Sequence, residues 1–166
     1  MNSNIHYPQL QCLGSPSVLS LEHAKLFEAF SSDEVKALCR HMMCYVAPID
    51  FRLLTEGDEG DFLLLILTGK VAVLKKNQSG NPRLAVAEPG TTLGEMSLID
   101  GKPRFASCDT LTQTDFAVLS RASLNSIFVQ MPRLGNKLLL VLLQHMTSRL
   151  RVTSLLLSSR ISNSIV

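Results

Sequence analysis

Gly94-Glu95-Met96-Ser97-Leu98-Ile99-Asp100-Gly101-Lys102-Pro103-Arg104-Phe105-Ala106-Ser107 is the stretch on which the reading of this 166-residue chain turns. Gly94 permits a tight turn and a close backbone approach, so that the amides of Glu95, Met96 and Ser97 can converge on an anion. Arg104 adds a full positive charge on a planar fork that can meet two oxygens of a phosphate at once. Glu95 asks for something different, because an ionised carboxylate only accepts hydrogen bonds and is repelled by phosphate unless a hydroxyl donor stands beside it. An anion with an adjacent hydroxyl describes a nucleotide.

The flanking chain reads as β-structure. Short apolar runs at Tyr45-Val46-Ala47, Phe51-Arg52-Leu53-Leu54, residues 62–67 and Val71-Ala72-Val73-Leu74 are broken by Pro48, by Glu56-Gly57-Asp58-Glu59-Gly60-Asp61 and by Thr68-Gly69-Lys70. Gly57, Gly60 and Gly69 are expected to serve backbone conformation at these turns. The acidic loop around them lacks the ligand order of a calcium-binding loop. Residues 77–82 predict a hairpin loop, and further strands are expected at 83–87, 104–108 and 114–119, so that an antiparallel roll occupies about 44–119. Helical spacing appears before it: Ala24, Phe27 and Phe30, then Val35, Leu38 and Met42 behind a cap at Ser32. It appears again after it, with Ser120 capping a short helix that ends at Met131-Pro132. From about 133 to 160 a single long helix carries Leu139, Leu143, Met146, Leu150, Thr153 and Leu157 at coiled-coil spacing, which predicts a symmetric dimer. Residues 1–20 lack periodicity and read as a tail or packing arm, and residues 21–166 as one domain.

These residues resemble the cyclic nucleotide-binding domains of the bacterial catabolite activator and of the eukaryotic cyclic-nucleotide-dependent kinases. The resemblance rests on Gly94, Glu95, Leu98, Pro103, Arg104, Ala106 and Ser107, at the kinases' acid-to-arginine spacing, and covers residues 27–158. It implies an antiparallel jelly-roll, cupin-like β-barrel flanked by short N-terminal helices and a long C-terminal helix. It implies a ligand, cyclic AMP, held at Gly94, Glu95, Met96, Ser97, Arg104, Phe105 and Ala106. Arg149-Leu150-Arg151-Val152-Thr153-Ser154 is similar to the activator's helix, where the last two hydroxyls meet the base; by resemblance Thr153 and Ser154 do so here. Phe105 departs from the family's small or hydroxyl residue, which argues against cyclic GMP and narrows the pocket.

Composition limits the alternatives. Sixteen basic and fourteen acidic residues leave a net charge of +2, too small to draw the chain to nucleic acid or anionic membrane. The activator's helix-turn-helix has no counterpart before Val166, so DNA binding is not expected, nor is a membrane span or signal peptide, and the expected location is cytoplasmic. Cys12, Cys39, Cys44 and Cys108 show no metal-ligand spacing, and the four histidines stand apart from any nucleophile; no metal, cofactor or enzymatic activity is expected. The function implied is a regulatory cyclic AMP sensor signalling to an effector protein. Two alternatives remain open, an interaction or scaffold protein with a degenerate pocket and a sensor of another nucleotide such as a cyclic dinucleotide.

Overall fold

The computed structural model describes residues 9–22, 24–76, 80 and 83–163. Among the described residues nine strands form two antiparallel sheets flanked by helices, the jelly-roll arrangement expected. The strands are β1 (Gln11–Gly14), β2 (Met43–Ala47), β3 (Arg52–Leu54), β4 (Phe62–Ile66), β5 (Val71–Leu74), β6 (Arg83–Ala87), β7 (Thr92–Leu93), β8 (Ser107–Thr110) and β9 (Thr114–Ser120). The first sheet runs β1-β2-β9-β4-β7 and the second β3-β8-β5-β6. The helices are α1 (Val18–Glu22), α2 (Ser32–Cys39), α3 (Glu95–Asp100), α4 (Arg121–Gln130) and α5 (Pro132–Asn163), with a 3-10 turn at Lys25–Phe27.

The apolar run of β4 follows from burial on both faces. Leu64 and Ile66 point into the roll with Tyr45, Leu54, Val71, Phe116 and Val118. Leu63 and Leu65 point the other way, into a second core of Val35, Leu38, Leu124, Ile127, Leu138 and Leu142 from the helices. Its partner β9 divides likewise, with Leu64 opposite Val118 and Leu65 opposite Ala117. A strand covered on both sides cannot alternate polar and apolar residues.

Three boundaries differ from the sequence expectation. The cap of α2 is Ser31, one residue earlier than Ser32: its hydroxyl accepts from the Glu34 amide while the Glu34 carboxylate accepts from the Ser31 amide at 2.8 Å, a reciprocal box that needs the acid three residues after the cap. The strand expected over 104–108 is β8 at Ser107–Thr110, because the backbone of Arg104 is engaged with the 55–61 loop instead. Within the arm, Gln11–Gly14 adds an outer strand to β2, with Cys12 opposite Tyr45. The expected hairpin loop at 77–82, Gly80 apart, and the first eight residues lie outside the described residues.

Glu34 also ties α2 to the long helix. Lys137 on α5 donates to the Glu34 carboxylate at 2.6 Å, and its ammonium lies 4.9 Å from the centre of the Phe30 ring. That ammonium, and after it the Ser31 amide, holds the Glu34 carboxyl below the usual carboxylate range. A depressed carboxyl contributes stability above its unfolded pKa of about 4.3, and the contribution is lost as pH falls through the lower folded value. Glu34→Gln keeps the capping acceptor and removes the charge, so it should cost up to about 1 kcal/mol near neutral pH. Denaturant titrations should show that deficit closing as pH falls below the usual carboxylate range.

Candidate functional site

The site assembles where β4, β7, α3 and the start of β8 meet. β7 pairs with β4, with Leu93 opposite Leu64, and this brings the turn at Gly94 against the start of β4. Gly94 adopts φ 78°, the left-handed conformation that releases the chain directly into α3. Arg104 is 4% exposed. Its Nη1 donates to the carbonyls of Phe62 at 2.8 Å and Gly94 at 2.9 Å, and its guanidinium carbon lies 4.3 Å from the centre of the Phe62 ring. The backbone of Arg104 is zipped to the 55–61 loop, donating to the Asp58 carbonyl and accepting from the Gly57 amide.

Gly60 has a role the sequence did not disclose. Gly57 and Gly69 take φ 88° and 81°, in keeping with their expected conformational use, but Gly60 is not left-handed. A Cβ built on it would run into the Cζ and Nε of Arg104, so the glycine makes room for the guanidinium. A Cβ on Gly94 would likewise stand 2.5 Å from Arg104 Nη1. The arginine is therefore seated between two glycines.

Glu95 opens α3 and is 5% exposed. Its Oε1 accepts from Nη1 of Arg149 at 2.6 Å, while Nη2 of the same arginine donates to the carbonyl and hydroxyl of Thr92 at 2.6 and 2.8 Å. Arg149 thus fastens α5 to both sides of the Gly94 turn. It begins the helical hexapeptide singled out in the sequence, and its position one turn before Thr153 was the available signal for it.

Other expected site residues are distributed unevenly. Ser97 and Ala106 are buried close to these groups in sequence, and Met96 is 44% exposed on α3. Phe105 is not packed among the buried residues: it is 54% exposed, with Nζ of Lys75 4.4 Å from the ring centre. Lys75 also donates to the Phe105 carbonyl and to Glu56, fixing that part of the loop. Thr153 and Ser154 are exposed, one turn past Arg149, and the Thr153 hydroxyl donates to the Arg149 carbonyl within its own helix. Behind the site, burial pushes the Cys108 thiol up to about 12, with the carboxylates of Asp109 and Glu95 adding to the shift. A thiol so protonated is no nucleophile near neutral pH. No three metal-ligating side chains cluster among the described residues, and no helix among them is long and apolar enough to cross a membrane.

Residues 51–131 match the family model of the cyclic nucleotide-binding domain. The crystal structure of a cyclic nucleotide-binding domain from Methylobacillus flagellatus KT is 48% identical, with a TM-score of 0.82 over 87% of this chain and 85% of its own. The CRP-like cAMP-activated global transcriptional regulator of Mycobacterium tuberculosis is 28% identical over 123 residues, 74% of this chain and 55% of that protein. The cAMP-dependent protein kinase regulatory subunit of Yarrowia lipolytica is 28% identical over 101 residues, 61% of this chain and 26% of the subunit. The chain thus spans about half the length of the bacterial regulator, or less of the kinase subunit. It belongs to the cyclic nucleotide-binding domain family.

The Gly60 contact can be checked directly. Gly60→Ala should displace the Arg104 guanidinium and lower stability by about 1 to 3 kcal/mol, the usual cost of overpacking. In chemical denaturation the same change should cost much less on an Arg104→Ala background, where no guanidinium stands in the way of the added methyl.

Proposed function

We propose that this chain is a regulatory cyclic AMP sensor in which α5 responds to ligand and signals to a protein partner. The observation that carries the reading is the seating of Arg104. A guanidinium held at 4% exposure between Gly60 and Gly94, on the turn that leads directly into Glu95, offers a phosphate-binding cation with a hydroxyl acceptor one residue along the chain from the turn. A carboxylate has two oxygens, and Arg149 engages Oε1, so Glu95 retains capacity for a ribose hydroxyl. The names of the mycobacterial and yeast relatives, which mention cAMP, support that choice of nucleotide. Met96, Ser97, Phe105 and Ala106 complete the proposed cradle, and Thr153 and Ser154 reach the base once α5 settles over it.

A homodimer belongs to the same reading. Leu143, Leu150 and Leu157 are 59%, 66% and 56% exposed along the predicted seam, an apolar stripe that a second copy of α5 would cover. One observation favours the alternative of an interaction protein with a degenerate pocket: Glu95 is already engaged by the chain's own Arg149.

Calorimetry with a nucleotide panel separates the two. Cyclic AMP at about a hundred times its Kd should add about 2.7 kcal/mol of stability, at about 2 to 4 °C of melting temperature per kcal/mol. Arg104→Gln should abolish both heat and shift. Absence of any heat with cyclic AMP, cyclic GMP and a cyclic dinucleotide at about millimolar concentration would leave the interaction-protein reading in its place.

For the dimer, sedimentation velocity should give twice the chain mass for the wild type and the single-chain mass for Leu150→Glu. A wild type of single-chain mass would remove the homodimer from the reading.

A further inference from the structure

α3 is six residues long, too short to hold its position by its own hydrogen bonds, and three arginines, one from the loop before β8, one from α4 and one from α5, fasten it. Arg104 takes the carbonyl of Gly94 at its start, Arg149 takes the side chain of Glu95, and Arg121 takes the carbonyl of Ser97 through Nη2 at 2.8 Å. The first two act at groups that a nucleotide would engage. Arg121 acts at the far end, where the Ser97 carbonyl also accepts the Gly101 amide that closes the helix.

Arg121 is the first residue of α4. Its own amide donates to the Asp61 carbonyl at 2.6 Å, immediately before β4, and Ser120 caps the helix by accepting from the Ser123 amide. α4 passes at Met131 into α5, and α5 carries Arg149 back to Glu95. The polar contacts therefore close a ring, α3 to α4 through Arg121, α4 to α5 through the elbow, and α5 to α3 through Arg149.

We propose that Arg121 is a positioning residue that transmits the state of the nucleotide site to α4 and α5. The inference rests on the cyclic AMP reading. A ligand that draws on Arg104 and Glu95 rearranges two of the three fastenings of α3. Arg121 keeps the third: the carbonyl it holds belongs to a residue that is 2% exposed, so movement of α3 is passed to the start of α4. Charge-assisted donation to a carbonyl at a helix end is strong enough to carry such a displacement. Coupling of this kind links two sites that share a two-state element.

The test uses the full chain with Arg121→Met, which removes the donors, and Arg121→Lys, which keeps a charged donor. Cyclic AMP affinity is measured by calorimetry and the response of α5 by hydrogen exchange of its backbone amides. In the wild type, ligand should change exchange in both α3 and α5 by about tenfold or more. Arg121→Met should bind within about threefold of wild type and still change exchange in α3, while the change in α5 falls to a minor part, carried by the Arg149 contact alone. Arg121→Lys should restore the α5 response in part. An unaltered α5 response in Arg121→Met would overturn the inference, and so would a loss of affinity and both responses together, which marks a merely structural role. A wild type that binds no nucleotide overturns the functional reading and this inference with it, whereas a binding wild type whose Arg121→Met variant responds normally overturns this inference alone.

Discussion

A guanidinium that is 4% exposed has given up its hydration for acceptors supplied by the chain, and the surroundings of Arg104 are arranged around that exchange. The carbonyls of Phe62 and Gly94 come from the start of β4 and from the turn between β7 and α3. Space for the flat group comes from the missing Cβ atoms of Gly60 and Gly94. Three residues beyond, β8 begins and enters the second sheet. One buried cation therefore fixes the relation between the two sheets and the helix at their junction, and moving it requires moving all of them.

The helical layer is bound less evenly. The first turns of α5 bury Leu134, Leu138, Val141 and Leu142 against the outer face of β4 and β9, and α4 joins them with Leu124 and Ile127. Beyond Leu142 the leucines of α5 are exposed, and Arg149 is the contact that reaches back to the site. A helix anchored by apolar packing at one end and by a hydrogen-bonded arginine further along has a graded stability, lowest in its distal half. Graded stability of that kind suits an element whose position reports on a distant pocket.

Much of this was legible in the sequence because the physics is local. The Gly94-to-Arg104 spacing, the apolar run of β4, the serine cap of α4 and the heptad-like spacing of α5 all follow from short-range rules of conformation and burial. What escaped was set by contacts between distant parts of the chain. Gly60 looks like any turn glycine until Arg104 is placed against it. Arg149 looks like a surface cation until α5 is laid across Thr92 and Glu95. The cap at Ser31 was misplaced by one residue because Ser31 and Ser32 are chemically equal, and the Glu34 register decides between them. The short β7 carries too few residues to show a period.

β1 has a consequence for how the protein keeps to itself. The strand lies along β2 at the outer margin of the first sheet, with Gln11 opposite Val46 and Cys12 opposite Tyr45. Without it, the amides and carbonyls of β2 would face water as a ready template for a foreign strand, and the buried tyrosine beside them would lose part of its cover. A segment that showed no period in the sequence is thus a selvedge: it finishes the cloth so that the weave is not continued by a neighbour.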